Sequence, residues 1–260
     1  MSTKTQAILV VSFGTSHADT RAVTIDAIEA DIAAAFPDAA VYRAWTSKMI
    51  IKKLKTRDGI TIPTVSEAME QLTADGIRQV IVQPTHVING IENDRMKEDV
   101  LAFRDRFDEI RFGDPLLSSE RDNQEIIRII AESFSDLEKD EALVLMGHGT
   151  THYANTIYAA LDYTFKDSGC SRIYVGTVEA YPSFDSLLRQ LKENHYRTLV
   201  LAPFMIVAGD HAKNDMAGDD PDSWRYRFEQ NGFSTRCVLK GLGEYPDVRR
   251  LLITHITESK

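Results

Sequence analysis

Eight short apolar runs, most of them followed by a stretch whose apolar residues recur at helical spacing, set the terms on which this chain can fold. The runs cover 7–13, 41–45, 80–83, 110–117, 143–146, 172–178, 198–204 and 236–242. Several are continuously apolar rather than alternating, which is the pattern of strands buried on both faces of a parallel sheet. Between them, Ile25, Ile28, Ile32 and Phe36 mark one face of a helix closed by Pro37, and Val65, Ala68, Met69 and Leu72 mark another that stops at Gly76. Further helical faces are Ile126, Ile127, Ile130 and Phe134, with Asp122 and Asn123 as caps; Ile157, Leu161 and Phe165; Phe184, Leu187, Leu188 and Leu191 behind Ser183; and Val248, Leu251, Leu252 and Ile256. The lysine-rich stretch around Lys48 to Lys55 reads as a partly exposed helix and loop. The polar segment 89–94 reads as a loop at the end of the third strand, with a helix behind it to about Phe107. This rhythm is that of βαβ units with right-handed crossovers.

The two halves resemble each other. One offset of 119 residues carries Gln71-Leu72, Pro84 and Gly90 onto Gln190-Leu191, Pro203 and Gly209, and Phe13-Gly14-Thr15 matches His148-Gly149-Thr150. The expectation is an α/β fold of two similar lobes, 1–120 and 121–260. Each would be a four-stranded parallel sheet flanked by helices, with a pseudo-twofold axis and a cleft between them.

Composition matters mainly for what it excludes. A net charge of −9 argues against a general nucleic-acid binder. No apolar stretch reaches the length of a membrane span. The start, Met1 to Gln6, leads straight into a strand-like run too short for a signal-peptide core, so a cytoplasmic location is expected. Cys170 and Cys237 have no CxxC spacing and are expected to be reduced.

The fifth run ends in Gly147-His148-Gly149-Thr150, the sixth runs into Glu179 and the seventh into His211. These three residues are 31 and 32 positions apart, one βα unit each time. Strand carboxyl ends share one edge of an open α/β sheet, where ligand sites lie. Two imidazoles and a carboxylate suit Zn²⁺, Co²⁺, Ni²⁺ or Fe²⁺ and leave coordination positions open. The aligned N-terminal positions are Phe13 and Glu92, so only the C-terminal lobe carries the set. Asp215, four residues after His211, falls where a carboxylate can hold the second imidazole nitrogen. His17 and His152 fall just past strand-end loops, while His86, His195 and His255 read as structural.

The Gly-His-Gly-Thr strand end, Val178-Glu179-Ala180-Tyr181-Pro182 and the 209–218 segment Gly-Asp-His-Ala-Lys-Asn-Asp-Met-Ala-Gly resemble the anaerobic sirohydrochlorin cobaltochelatases of the CbiK type, class II chelatases. So do Val11-Ser12-Phe13-Gly14-Thr15-Ser16 and Asn89-Gly90-Ile91-Glu92-Asn93-Asp94. The resemblance covers essentially the whole chain. It implies a chelatase-like fold and insertion of Co²⁺ into sirohydrochlorin during anaerobic cobalamin synthesis. It also implies a metal site of His148, Glu179 and His211, with His148 as proton acceptor. Together with the lobe alignment it points to Phe13, Thr15, Gly90 and Glu92 as substrate contacts.

The implied chemistry needs these residue types. Metal insertion releases two pyrrole protons, and histidine is the side chain whose pKa suits accepting them near neutrality. No permanently bound cofactor is expected; Co²⁺, or Fe²⁺ or Ni²⁺ with the same ligands, is a substrate. The expected partners are a sirohydrochlorin-type tetrapyrrole and the metal ion, with neither nucleic acid nor membrane and with a homo-oligomer left open. Arg95, Lys97, Lys213, Arg225 and Arg227 are candidates to meet the tetrapyrrole carboxylates. Two alternatives stay open: a siroheme- or heme-type ferrochelatase, and a non-catalytic tetrapyrrole or metal carrier. A zinc hydrolase is disfavoured because no HExxH pattern occurs.

Overall fold

The computed structural model describes residues 5–260; the start at 1–4, read above as lacking a signal peptide, lies outside them. The chain divides into two compact units. The first runs up to Ser118 and takes in Gly243–Lys260, and the second is Ser119–Leu242.

The first unit holds β1 (Gln6–Ser12), α1 (Ala18–Val23), α2 (Ile25–Ala35), β2 (Ala40–Trp45), α3 (Lys48–Asp58), α4 (Val65–Ala74), β3 (Gln79–Pro84), α5 (Ile91–Leu101) and β4 (Glu109–Phe112). Its four strands are parallel in the order β2-β1-β3-β4, with Leu9 in register with Tyr42 and Val82. The second unit holds α6 (Glu120–Ser133), β5 (Glu141–Gly147), α7 (Thr156–Asp167), β6 (Ile173–Thr177), α8 (Phe184–Lys192), β7 (Thr198–Pro203), α9 (Trp224–Gln230) and β8 (Ser234–Cys237). Its order is β6-β5-β7-β8, again parallel, so both units use the same topology. The fold class expected from the βα rhythm is therefore the one observed.

Each central strand is covered on both faces. In β1 and β5 all residues but the first are buried, which explains their unbroken apolar character. One face of the second sheet packs Leu187 and Leu191 of α8 and Trp224 and Phe228 of α9 against Val144, Met146 and Leu201. Burying each such side chain is worth about 1.5–3 kcal/mol. Both edge strands β4 and β8 are short and half exposed: β4 is the short strand expected within 110–117, whereas β8 lies at 234–237 instead of the longer run 236–242. A sheet edge has packing on fewer sides, and the chain leaves it as soon as its apolar residues find other cover.

Several local features depart from the sequence reading. The helix expected from Ile25, Ile28 and Ile32 is α2, and a further helix, α1, precedes it across Thr24 (φ −120°, ψ −82°), whose hydroxyl donates to the Thr20 carbonyl. The lysine-rich stretch is a regular helix, α3, capped by Ser47 and ended by Gly59 in the left-handed region. The cap of α6 is Ser119, which accepts the Asp122 N–H, rather than Asp122 or Asn123. Most of the expected loop 89–94 is the first turn of α5, which starts at Ile91 behind Gly90. The last helix, α10 (Pro246–Thr257), was expected with the C-terminal lobe, but it packs on α2 and β3 of the first unit. There Arg249 pairs with Asp31 at 2.6 Å, and the buried His255 ring bonds the Asp114 carbonyl at 2.9 Å. Both cysteines are free, and no helix among the described residues is long and apolar enough to cross a membrane.

Candidate metal centre

The site is built on the three neighbouring strands β6-β5-β7. β5 ends at Gly147, where a side chain would not fit: an added Cβ would come within 2.5 Å of the Tyr158 ring. Tyr158, on α7, is 2% exposed, and burial pushes its hydroxyl pKa up to about 12. Two residues on, Gly149 takes φ +86°, and a Cβ there would lie 2.9 Å from the Ala180 nitrogen. His148 is thus held between a residue backed by an aromatic ring and a residue pressed against the next loop.

That next loop carries Glu179. It folds back on the end of β6, with the Thr177 N–H donating to the Pro182 carbonyl (2.7 Å) and the Ala180 N–H donating to the Thr177 hydroxyl (3.2 Å). The Val178 and Glu179 N–H groups donate to the Gly147 and His148 carbonyls, both at 3.0 Å. The third residue, His211, opens a one-turn π-helix, His211–Met216, after β7. Such turns recur at functional sites because they re-aim side chains that a regular helix would space differently. Here Ala212 and Met216 are buried in the core, which anchors the turn and leaves His211 at the sheet's edge.

The three side chains converge. Each offers a ligand atom, and these atoms lie within 4.8 Å of one another. The His148 and His211 rings stand perpendicular with centroids 4.6 Å apart, and His148 Nδ1 lies 3.8 Å from Glu179 Oε2. The imidazoles are oriented from behind. Nδ1 of His148 is 2.8 Å from the Gly149 carbonyl, which can only accept, so Nδ1 is the donor in this contact and, in the neutral ring, Nε2 is the nitrogen left with a lone pair. Nδ1 of His211 is 2.6 Å from Asp215 Oδ2, the carboxylate–imidazole pairing that commonly backs a metal-binding histidine. The side chains stay 35–56% exposed, open to an ion and to a further ligand. Two nitrogens and a carboxylate oxygen, with coordination positions left over, form a set that can hold a divalent transition metal and release it.

In the first unit, Phe13 and Glu92 line a cavity of about 440 Å³ at the carboxyl edge of the sheet, with Trp45, Ser47, Met49 and Arg95 among its other walls. Phe13 is 44% exposed, unusual for a large apolar side chain. Thr15 and Gly90 do not line it. Thr15 is buried and accepts the His17 N–H, and Gly90 caps α5, its carbonyl taking the Asn93 and Asp94 N–H groups. Of the basic candidates, Arg95 lies 3.4 Å from Glu92, Lys97 rests over the Phe112 ring, Arg225 pairs with Asp219, and Arg227 pairs with Asp185 over Phe184. His152 accepts the Ala154 N–H, and His86 has both ring nitrogens inaccessible to solvent and without hydrogen bonds. One residue the sequence reading passed over is Asn155, whose side chain reaches the loops of both His148 and Glu179. Its position five residues after Thr150, just ahead of a helix, was the only signal.

A family model described as cobalt chelatase (CbiK) matches residues 6–260. A sirohydrochlorin cobaltochelatase of Salmonella typhimurium is 42% identical over 254 residues, covering 98% of this chain and 96% of the relative. The sirohydrochlorin cobaltochelatase CbiKC of Nitratidesulfovibrio vulgaris is 30% identical, covering 96% and 89%. Among solved structures, SirB from Bacillus subtilis with Fe³⁺ has a TM-score of 0.67 at 13% identity, covering 97% of this chain and 94% of that one, a likeness of fold. The matched residues span all eight strands at near full length, and the chain belongs to the CbiK cobalt chelatase family.

Proposed function

We propose that this protein inserts Co²⁺ into sirohydrochlorin, exchanging two pyrrole protons for the metal. The observation that carries the reading is the convergence of His148, Glu179 and His211 within 4.8 Å at three adjacent strand ends of a cobalt chelatase family member. Glu179 and His211 present the ion, with Asp215 steadying the His211 ring through Nδ1. His148, its Nδ1 donating to the Gly149 carbonyl, offers Nε2 as the third ligand, and once the ion has passed to the macrocycle that nitrogen can accept a pyrrole proton. Three protein ligands favour transfer, because an ion held by a closed four-ligand cage would have no position for the incoming nitrogen. In the first unit, Phe13 offers an exposed ring to the macrocycle, and Glu92 offers a second carboxylate for a proton.

The decisive experiment mixes the protein with Co²⁺ and excess sirohydrochlorin without oxygen and follows absorbance. Conversion well beyond one equivalent per chain supports an enzyme, while arrest at one equivalent supports a carrier. Running the assay with Co²⁺ and Fe²⁺ in competition identifies the metal. Glu179→Ala and His211→Ala are expected to slow insertion most at limiting Co²⁺. Unchanged metal dependence in both would reassign the ligands.

A further inference from the structure

Asn155 stands where the chain passes from a short 3₁₀ turn, 153–155, into α7. Asparagine at the start of a helix ordinarily spends its side chain on the helix's first N–H groups. Here it makes no such bond. Its Oδ1 accepts the Thr150 N–H at 3.0 Å, and its Nδ2 donates to the Tyr181 carbonyl at 2.6 Å. The first contact lies two residues after His148, the second two residues after Glu179.

The Glu179 carboxylate depends on such a brace. His148 Nδ1 lies 3.8 Å away, too far for a hydrogen bond, and the Glu179 side chain is 56% exposed. Among the described residues no hydrogen bond holds the carboxylate itself, so its place is set mainly by its backbone. That backbone is tied to the β5 loop at one end by the Glu179 N–H to the His148 carbonyl. The Val178 N–H adds a bond to the Gly147 carbonyl on the same side, and the Ala180 and Thr177 N–H groups tie the segment only to itself and to the end of β6. Asn155 supplies the tie to the β5 loop on the far side of Glu179, and both of its amide groups are used in doing so.

We propose that Asn155 is a positioning residue of the metal site, one that sets the Glu179 carboxylate at ligand distance from His148 and His211 by clamping the loops after β5 and β6 together. The inference rests on the ligand set proposed above. Loss of the amide leaves both imidazoles in place and frees the loop carrying the third ligand, so Asn155 acts on the metal through Glu179.

The test titrates the full chain with Co²⁺ in the absence of tetrapyrrole, reading affinity and the visible absorption of the bound ion. Wild type is compared with Asn155→Ala, Glu179→Ala and the double variant. Asn155→Ala is expected to bind Co²⁺ about 10–100-fold more weakly, the range typical of groups that orient a ligand. Its absorption should shift toward that of Glu179→Ala, and the double variant should bind no worse than Glu179→Ala alone, because the two changes act on one contact. In turnover, the KM for Co²⁺ should rise with little change in kcat. Wild-type affinity in Asn155→Ala overturns the proposal, as does a loss repeated in full in the Glu179→Ala background. Should Asn155→Ala not fold, Asn155→Ser, which is too short to make both bonds, is read the same way. Equal affinity of wild type and Glu179→Ala is a separate result. It removes Glu179 from the site, and the role of Asn155 with it, without reference to any Asn155 variant.

Discussion

At the scale of single residues, the roles proposed for His148 and Asp215 are separable. Replacing His148 by Ala removes the proposed proton acceptor, and insertion should fall about 10²–10⁴-fold, the usual contribution of a general base. Thermal unfolding should stay close to wild type, since the ring is 42% exposed and supports no core contact. Near-normal turnover in a folded His148→Ala protein would clear His148 of the role. Asp215→Asn keeps the shape but loses the negative charge behind His211, and its Co²⁺ affinity should drop about 10–100-fold. His86 tells a different story. Burial of its unpartnered nitrogens depresses its pKa from 6.5 to about 4, with the nearby Glu92 pulling weakly the other way. Between those values the unfolded chain binds more protons than the folded one, so stability is lost as pH falls from about 6.5 toward 4. His86→Leu removes that penalty and leaves no buried polar atom unpaired. In urea unfolding it should match wild type within about 1 kcal/mol at pH 7 and exceed it by about 2 kcal/mol at pH 5. Parallel pH profiles for the two proteins would show that His86 titrates normally.

The strand-to-loop elements carry the site, and their glycines show how. Gly149 and Gly232 both lie in the left-handed region, at φ +86° and φ +92°. Alanine pays about 1–2 kcal/mol there at either position. Around Gly232 there is open space, but at Gly149 an added Cβ would also meet the Ala180 nitrogen and the Thr177 side chain. Relief there has to come from the loop carrying Glu179. Gly232→Ala should therefore lower Tm by a few degrees and leave Co²⁺ affinity alone, whereas Gly149→Ala should lower both. Calorimetry and a Co²⁺ titration on the pair check this, and equal affinities would mean that the Glu179 loop tolerates the displacement. The same elements show the reach of pattern reading. The apolar runs locate β5, β6 and β7 because a strand covered on both faces must be apolar throughout, and the end of such a run is visible residue by residue. The cap at Ser119 and the start of α5 at Ile91 were harder, since several polar residues in a row can each begin a helix and hydrogen-bond geometry selects one.

On the scale of the molecule, the chain builds one topology twice and then returns: after the second unit it places α10 on the first. Val248, Leu252 and Ile256 are at most 1% exposed there, and Arg249 and His255 add the contacts to Asp31 and Asp114. A chain ending at Tyr245 should lose several kcal/mol from the first unit, at about 1.5–3 kcal/mol per large apolar side chain. Hydrogen exchange should show β3 and α2 losing protection while β5 and β7 keep theirs. Uniform loss across both sheets would mean that the two units unfold as one. The sequence by itself determined the alternation of elements, the duplicated order of strands, and the placing of His148, Glu179 and His211 after three strands of one sheet. All of these follow from local apolar periodicity and from the fact that parallel strands present their carboxyl ends together. Only the tertiary structure decided which unit α10 covers, that Tyr158 lies under Gly147, and that Asn155 spans two loops. An apolar stripe states that a helix must be buried but not against what, and a hydrogen bond to a backbone carbonyl 26 residues away leaves no periodic trace in the chain.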